Sequence, residues 1–210
     1  MNTPTNNEKH PHVVGNTRAK TTERGRGETA APPRFTLFSR LLHWAMAAAV
    51  IAMLFIGAAM VTSPAHYAEL RSLHQPLGTL ILALVVLRFI NRLLHRPPPH
   101  PPSMGPWERI AASGSECLMY ALMFAQPLVG WGMVSAAGTP VELWGPLRLP
   151  ALLPADQGLY AVLRETHTLL AYLLFALFTA HMCAVLFHTL VTRDRLLSRM
   201  GFGSSTRPDE

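Results

Sequence analysis

Hydrophobic positions fall into four long blocks, and everything between them is rich in charge, proline and glycine. The blocks run from about Leu41 to Val61, His74 to Leu94, Gly114 to Val134 and His167 to Thr189. Each has about the 20 mostly apolar residues that a helix needs to cross a bilayer. Ser63-Pro64 closes the first, and the run "RPPPHPPSMGPWER" from Arg96 to Arg109 separates the second from the third. Between the third and fourth lies a connection from Ser135 to Thr166, punctuated by Gly138, Pro140, Gly145, Pro146, Pro150 and Pro154. Its segment "VELWGPLRLPALLP" reads equally well as a stretch lying in the membrane interface on Trp144 and its leucines, or as an ordinary packed loop. The pattern predicts an all-α fold, an integral membrane four-helix bundle over residues 35–199. It is flanked by a polar, disordered tail at 1–34 and a short tail at 200–210. Residues 1–34 lack the apolar region of a signal peptide.

Charge then orients the bundle. The chain carries 18 Lys and Arg against 12 Asp and Glu, a net charge of +6. A soluble protein so basic would suggest nucleic acid, but here the basic residues flank apolar blocks, and no nucleic-acid partner is expected. Arg and Lys crowd before the first block, around the second connection and after the fourth block. Only Arg71, Arg148 and Arg164 fall on the opposite side. The positive-inside rule places both termini in the cytoplasm, which fits an even number of crossings. The expected location is a bacterial inner membrane. Cys117 and Cys183 form no Cys-x-x-Cys pattern, so no disulfide and no thioether-linked heme is expected.

Histidine supplies the candidate chemistry. His43 opens the first block on the cytoplasmic side, while His74 and His167 open the second and fourth on the outer side. His181 lies fourteen residues after His167, a rise of about 21 Å and close to four full turns, so both occupy nearly one helix face at opposite depths. A single membrane histidine more often ends a helix or hydrogen-bonds than binds a metal. Two pairs matched in level, His43 with His181 and His74 with His167, describe two metal centres stacked across the bilayer. Neutral imidazole suits iron, and a helix bundle accepts a flat apolar ring between facing helices, so heme is the expected cofactor. Gly57, Ala58, Ala59 and Gly78 would let the helices part around it. With two histidines on each iron no position stays open, which suits electron transfer. His188, seven residues past His181, is an alternative inner ligand, a quinone-binding residue or simply an interfacial histidine. His10, His12, His66, His95 and His100 receive no role.

The segments "RLLHWAMAAAVIAM", "LHQPLGTLILALVVLRFINRL", "YALMFAQPLVGWGM" and "RETHTLLAYLLFALFTAHMCAVLFH" together resemble the bacterial cytochrome b561 family, from about Phe35 to Arg199. The resemblance implies two hemes b, an inner one on His43 and His181 and an outer one on His74 and His167. It also implies His188 near a quinone site at the cytoplasmic face. One branch of that family oxidises superoxide at the periplasmic face and reduces ubiquinone. Its broader relatives are electron-relay anchor subunits for partner dehydrogenases and hydrogenases. A superoxide:ubiquinone oxidoreductase and a relay subunit with a redox partner protein are therefore the two expectations. Arg71 and Arg164 each stand three residues before an outer histidine, either as a basic funnel for a small anion or as interfacial anchors. A transporter is disfavoured by the lack of inverted repeats or paired broken helices.

Overall fold

A computed structural model describes residues 1, 35–95, 104–192 and 200–201 of the chain. The tail at 2–34, the proline-rich run at 96–103, the arginines at 193, 195, 199 and 207, and residues 202–210 lie outside the described residues. By its internal contacts the chain divides into two units, Met1–Pro32 and Pro33–Glu210, and the second contains all of the elements that follow.

Four helices dominate it: α1 Leu37–Thr62, α2 Tyr67–Leu94, α3 Pro106–Ala136 and α4 Gln157–Leu190. Each is long and apolar enough to cross a membrane. Their ends follow from local chemistry. Thr36 caps α1 by accepting from the Ser39 amide at 3.2 Å, and Asp156 caps α4 by accepting from the Leu159 amide at 2.8 Å. At α3, Pro106 occupies the first turn, where its missing N–H costs nothing, and the Glu108 carboxylate accepts from the Gly105 amide at 2.8 Å.

The helices run longer than the apolar blocks predict. Tyr67–Leu73 and Gln157–Thr166 are helical, so His74 and His167 do not open their helices; they lie about 10 Å and 15 Å inside them. The outer turns carry Glu69, Arg71, Arg164 and Glu165. Those residues end a run of hydrophobicity but are good helix formers. For the same reason α3 begins at Pro106, inside the stretch expected to be a linker.

The expected loop at 135–166 shrinks accordingly and contains a small antiparallel hairpin, β1 Val141–Glu142 with β2 Arg148–Leu149. Gly145, at φ +67°, turns the chain at its tip. The hairpin base is tied down by three hydrogen bonds. Trp131 Nε1 donates to the Pro150 carbonyl at 2.9 Å, the Leu152 amide to Ser135 Oγ at 3.1 Å, and the Glu142 amide to Gln75 Oε1 at 3.1 Å. Val141 is buried, while Trp144 and Leu147 project outward at 65% and 61% exposure. The loop thus combines both expected behaviours, packed at its base and exposed and apolar at its tip.

All four helices contribute to one core of Met46, Val50, Ile81, Val85, Leu122, Met123 and Leu174. Most other large apolar side chains face outward, including Phe55, Leu87, Ile110, Tyr172 and Phe175. Water would not tolerate such a surface, whereas lipid solvates it. The four tryptophans stand near the two ends of the bundle, Trp44 and Trp107 at one and Trp131 and Trp144 at the other, as interfacial indoles do. Neighbours in sequence pack together, α1 on α2, α2 on α3 and α3 on α4. Helix α4, however, has little backbone contact with α1 or α2, and of its residues only Leu174 is fully buried.

Candidate functional site

The space between α4 and the α1–α2 pair is where the histidines meet. His74 of α2 and His167 of α4 face each other with ring centroids 6.2 Å apart and ring planes at 69°. Both Nδ1 atoms are buried without a hydrogen-bond partner. An orphaned buried polar atom costs roughly 1–3 kcal/mol, so such atoms need an explanation. The rings border a cavity of about 60 Å³ that reaches all four helices, with Val50, Gly78, Met123 and Leu174 among its walls.

The separation supports a shared metal. A metal–imidazole bond is about 2.0–2.1 Å long, and the centre of a five-membered ring lies roughly 1.1 Å beyond the donor nitrogen. Two imidazoles on opposite sides of one metal therefore have centroids roughly 6.3 Å apart. Among the described residues no cluster of three or more His, Cys, Asp or Glu side chains could hold a bare metal ion. What the fold offers here is a pair of imidazoles in apolar surroundings, the donor set a heme would take with its own nitrogens completing the coordination.

Small residues clear the space around the pair. A Cβ on Gly57 would meet His74 Cε1 at 4.0 Å, and Gly78 borders the cavity. Both glycines were expected from the sequence; Gly130 of α3 was not. A Cβ there would sit 3.0 Å from His167 Cε1, a contact tight enough that the ring would have to give by a few tenths of an ångström. Gln126, one turn earlier on α3, was missed as well. Its Nε2 lies 3.3 Å from His167 Nε2 and donates to the His167 carbonyl at 3.1 Å, while its Oε1 is buried and unpartnered. The available signal was a lone amide inside a long apolar run, four residues from a glycine. Pro127 of α3 lines the same cavity and Pro76 stands two residues past His74 in α2, each deleting one backbone hydrogen bond of its helix.

At the opposite end, His43 and His181 lie close enough to act on each other electrostatically, and Arg88 of α2 acts on both. His181 is exposed and His43 half-buried. Glu116 of α3 also acts on His181 and pairs with Arg92. Around them the polar groups are tied to backbone and side-chain partners. Asn91 Nδ2 donates to Ser39 Oγ at 2.7 Å, and Arg88 donates to the Ser39 carbonyl at 3.4 Å. Arg40 and Trp44 Nε1 donate to the carbonyls of Gly201 and Met200 at 2.7 Å and 3.0 Å. His188 lies two turns beyond His181, half-buried, edge-on to Phe187 and near the Thr192 hydroxyl. Arg71 and Arg164 each stand one turn outward of an outer histidine, on α2 and α4.

Comparison with known proteins identifies the family. Residues 34–203 match the family model described as prokaryotic cytochrome b561. The chain is 32% identical over 176 residues to cytochrome b561 homolog 2 of Escherichia coli (strain K12), covering 82% of this chain and 93% of that protein. It is 27% identical to cytochrome b561 homolog 1 of the same organism, covering 80% and 96%. It is 28% identical over 131 residues to a protein of Yersinia pestis named probable superoxide oxidase CybB, covering 62% and 74%. With four membrane-crossing helices and imidazoles paired between them, the chain belongs to the prokaryotic cytochrome b561 family of membrane electron-transfer proteins that hold b-type heme.

Proposed function

We propose that this protein is a two-heme electron carrier of the bacterial inner membrane, with both termini cytoplasmic, moving electrons from the outer face to the quinone pool. The observation that carries the proposal is the His74–His167 pair, spaced as two ligands of one metal and bordering an apolar cavity. His74 and His167 would hold the outer heme b, and His43 and His181 the inner one. A heme with two imidazole ligands supplies a one-electron carrier with no open position for oxygen.

The chain's own residues do the rest. The apolar walls around His74 and His167 keep water from the outer site. Arg88 and the Arg92–Glu116 pair set the electrostatic surroundings of the inner site. His188, near the cytoplasmic end of α4, would donate a hydrogen bond to a ubiquinone carbonyl. For the donor we infer superoxide, on two grounds: the name of the Yersinia pestis relative, and Arg71 with Arg164 one turn outward of the outer pair, where they would attract a small anion. Two superoxide anions each give up one electron and leave as dioxygen. One ubiquinone gains the two electrons and takes two protons from the cytoplasmic side, forming ubiquinol.

The test is purification in detergent, a pyridine hemochrome assay, and stopped-flow mixing with superoxide with and without ubiquinone. Two hemes per chain are expected, reduced by superoxide and reoxidised by the quinone. Arg71→Gln with Arg164→Gln should slow the first step and flatten its salt dependence. One heme per fully loaded chain would sink the two-site reading. No reduction by superoxide, together with co-purification of a large dehydrogenase, would make the protein a relay subunit instead.

A further inference from the structure

Helix α3 contributes no histidine, yet two of its residues lie against one. Gln126 and Gly130 stand four residues apart and so share a face of α3, and that face meets His167. The amide nitrogen of Gln126 is its only donor group, and it touches both the His167 carbonyl at 3.1 Å and the ring Nε2 at 3.3 Å. The carbonyl can only accept, so the amide orientation is fixed by that bond. The same nitrogen then donates to the ring, which makes Nε2 the acceptor and leaves the ring proton on Nδ1. That is the tautomer with its lone pair on Nε2, ready for a metal. Gly130 meanwhile lets the backbone of α3 lie against the ring, where a Cβ would sit 3.0 Å from Cε1 and 3.3 Å from Nδ1.

We propose that Gln126 and Gly130 are positioning residues for the outer redox site. They present His167 in its metal-ready tautomer and fix its ring plane, and so set the 69° twist between the His167 and His74 imidazoles. The proposal rests on the reading of that pair as ligands of the outer heme. The bond from Gln126 to the His167 carbonyl does not involve the ring, so it persists when Nε2 is given to a metal. The contact to the ring gives way as Nε2 takes the metal, while the carbonyl bond keeps the amide beside His167 and the α3 backbone at Gly130 lies against the ring. The twist matters because the planes of two axial imidazoles govern the splitting of the ferric iron d orbitals. Near-perpendicular planes give a highly anisotropic low-spin signal dominated by one large g value. Parallel planes give a rhombic signal with three resolved g values.

The experiment uses the full-length, heme-loaded protein in detergent, in four forms: unaltered, Gln126→Leu, Gly130→Ala and Leu128→Ala. Leu128 is exposed on the same helix and serves as the control. Heme content, the low-temperature electron paramagnetic resonance spectrum of the oxidised state and a redox titration are recorded for each. Gln126→Leu and Gly130→Ala should keep two hemes while one large-g feature moves toward the rhombic range. The reduction equilibrium of that same heme should change about fivefold to tenfold, the scale of one buried hydrogen bond, and tenfold corresponds to about 59 mV for one electron. Leu128→Ala should change neither. Should one variant fail to fold, the other still decides the matter. Unchanged spectra and potentials in both variants would overturn the positioning role, as would an equal shift in the Leu128→Ala control. The underlying ligand assignment is tested separately by His167→Ala, which must lose a heme. If it keeps two, the ligand reading fails rather than the role of α3.

Discussion

Pairing is a stronger claim than a set of four ligands, and double substitution tests it. His43 lies six residues inside the N-terminal end of α1, about 9 Å, and His181 nine residues inside the C-terminal end of α4, about 13 Å. His188 is only two residues from that end, about 3 Å. A flat ring held by His188 would lie at the level of the headgroups, whereas one held by His181 stays within the apolar interior. His43→Ala or His181→Ala should therefore each lower the heme content from two to one, and the double variant should still hold one, because both changes empty the same site. His43→Ala combined with His167→Ala should leave none. His188→Ala should keep two hemes and slow only their oxidation by quinone. Pyridine hemochrome against protein mass, with a reduced-minus-oxidised spectrum to identify the surviving heme, reads all five variants. The assignment fails if the His43, His181 double variant loses both hemes, or if His188→Ala loses one while His181→Ala keeps two.

Two further outcomes follow from the orientation and from the packing at the inner end. A phosphatase fused to the C-terminus should be inactive in cells, since 15 of 18 Lys and Arg fall on the side that should be cytoplasmic; periplasmic activity would invert the topology. Asn91→Leu removes the buried amide that bonds Ser39 Oγ, and should destabilise the bundle by about 0.6–1.5 kcal/mol, or about 1–6 °C in a detergent melt. An unchanged melt would mean that this link between α1 and α2 contributes nothing.

The four spans were legible because a bilayer admits only a narrow range of lengths and compositions. Their ends were not, because helix formation outlasts hydrophobicity. Glu69, Arg71, Arg164 and Glu165 halt an apolar run but sit comfortably in an exposed helical turn. The hairpin escaped notice because each strand is two residues long, too short for alternation to register. Its position comes from distant partners, Gln75 and Ser135. The histidines stood out since they are costly in lipid and recur at matched depths. Gln126 and Gly130 did not, because an amide and a glycine in an apolar helix have many uses. Only the approach of α3 to His167 gives them one.

The looseness of α4 bears on how the protein is built. A helix with one buried residue and little backbone contact with two of its three neighbours is a lightly fastened wall. On the proposed reading, the hemes are the missing mortar, each joining α4 to a helix it otherwise barely meets. Insertion of the chain into the membrane and completion of the bundle then become separate events, the second waiting on cofactor. A chain starved of heme would hold α4 only by its packing on α3 and by Leu174 in the shared core. Its steady amount in the cell would follow the supply of heme as much as the rate of its own synthesis.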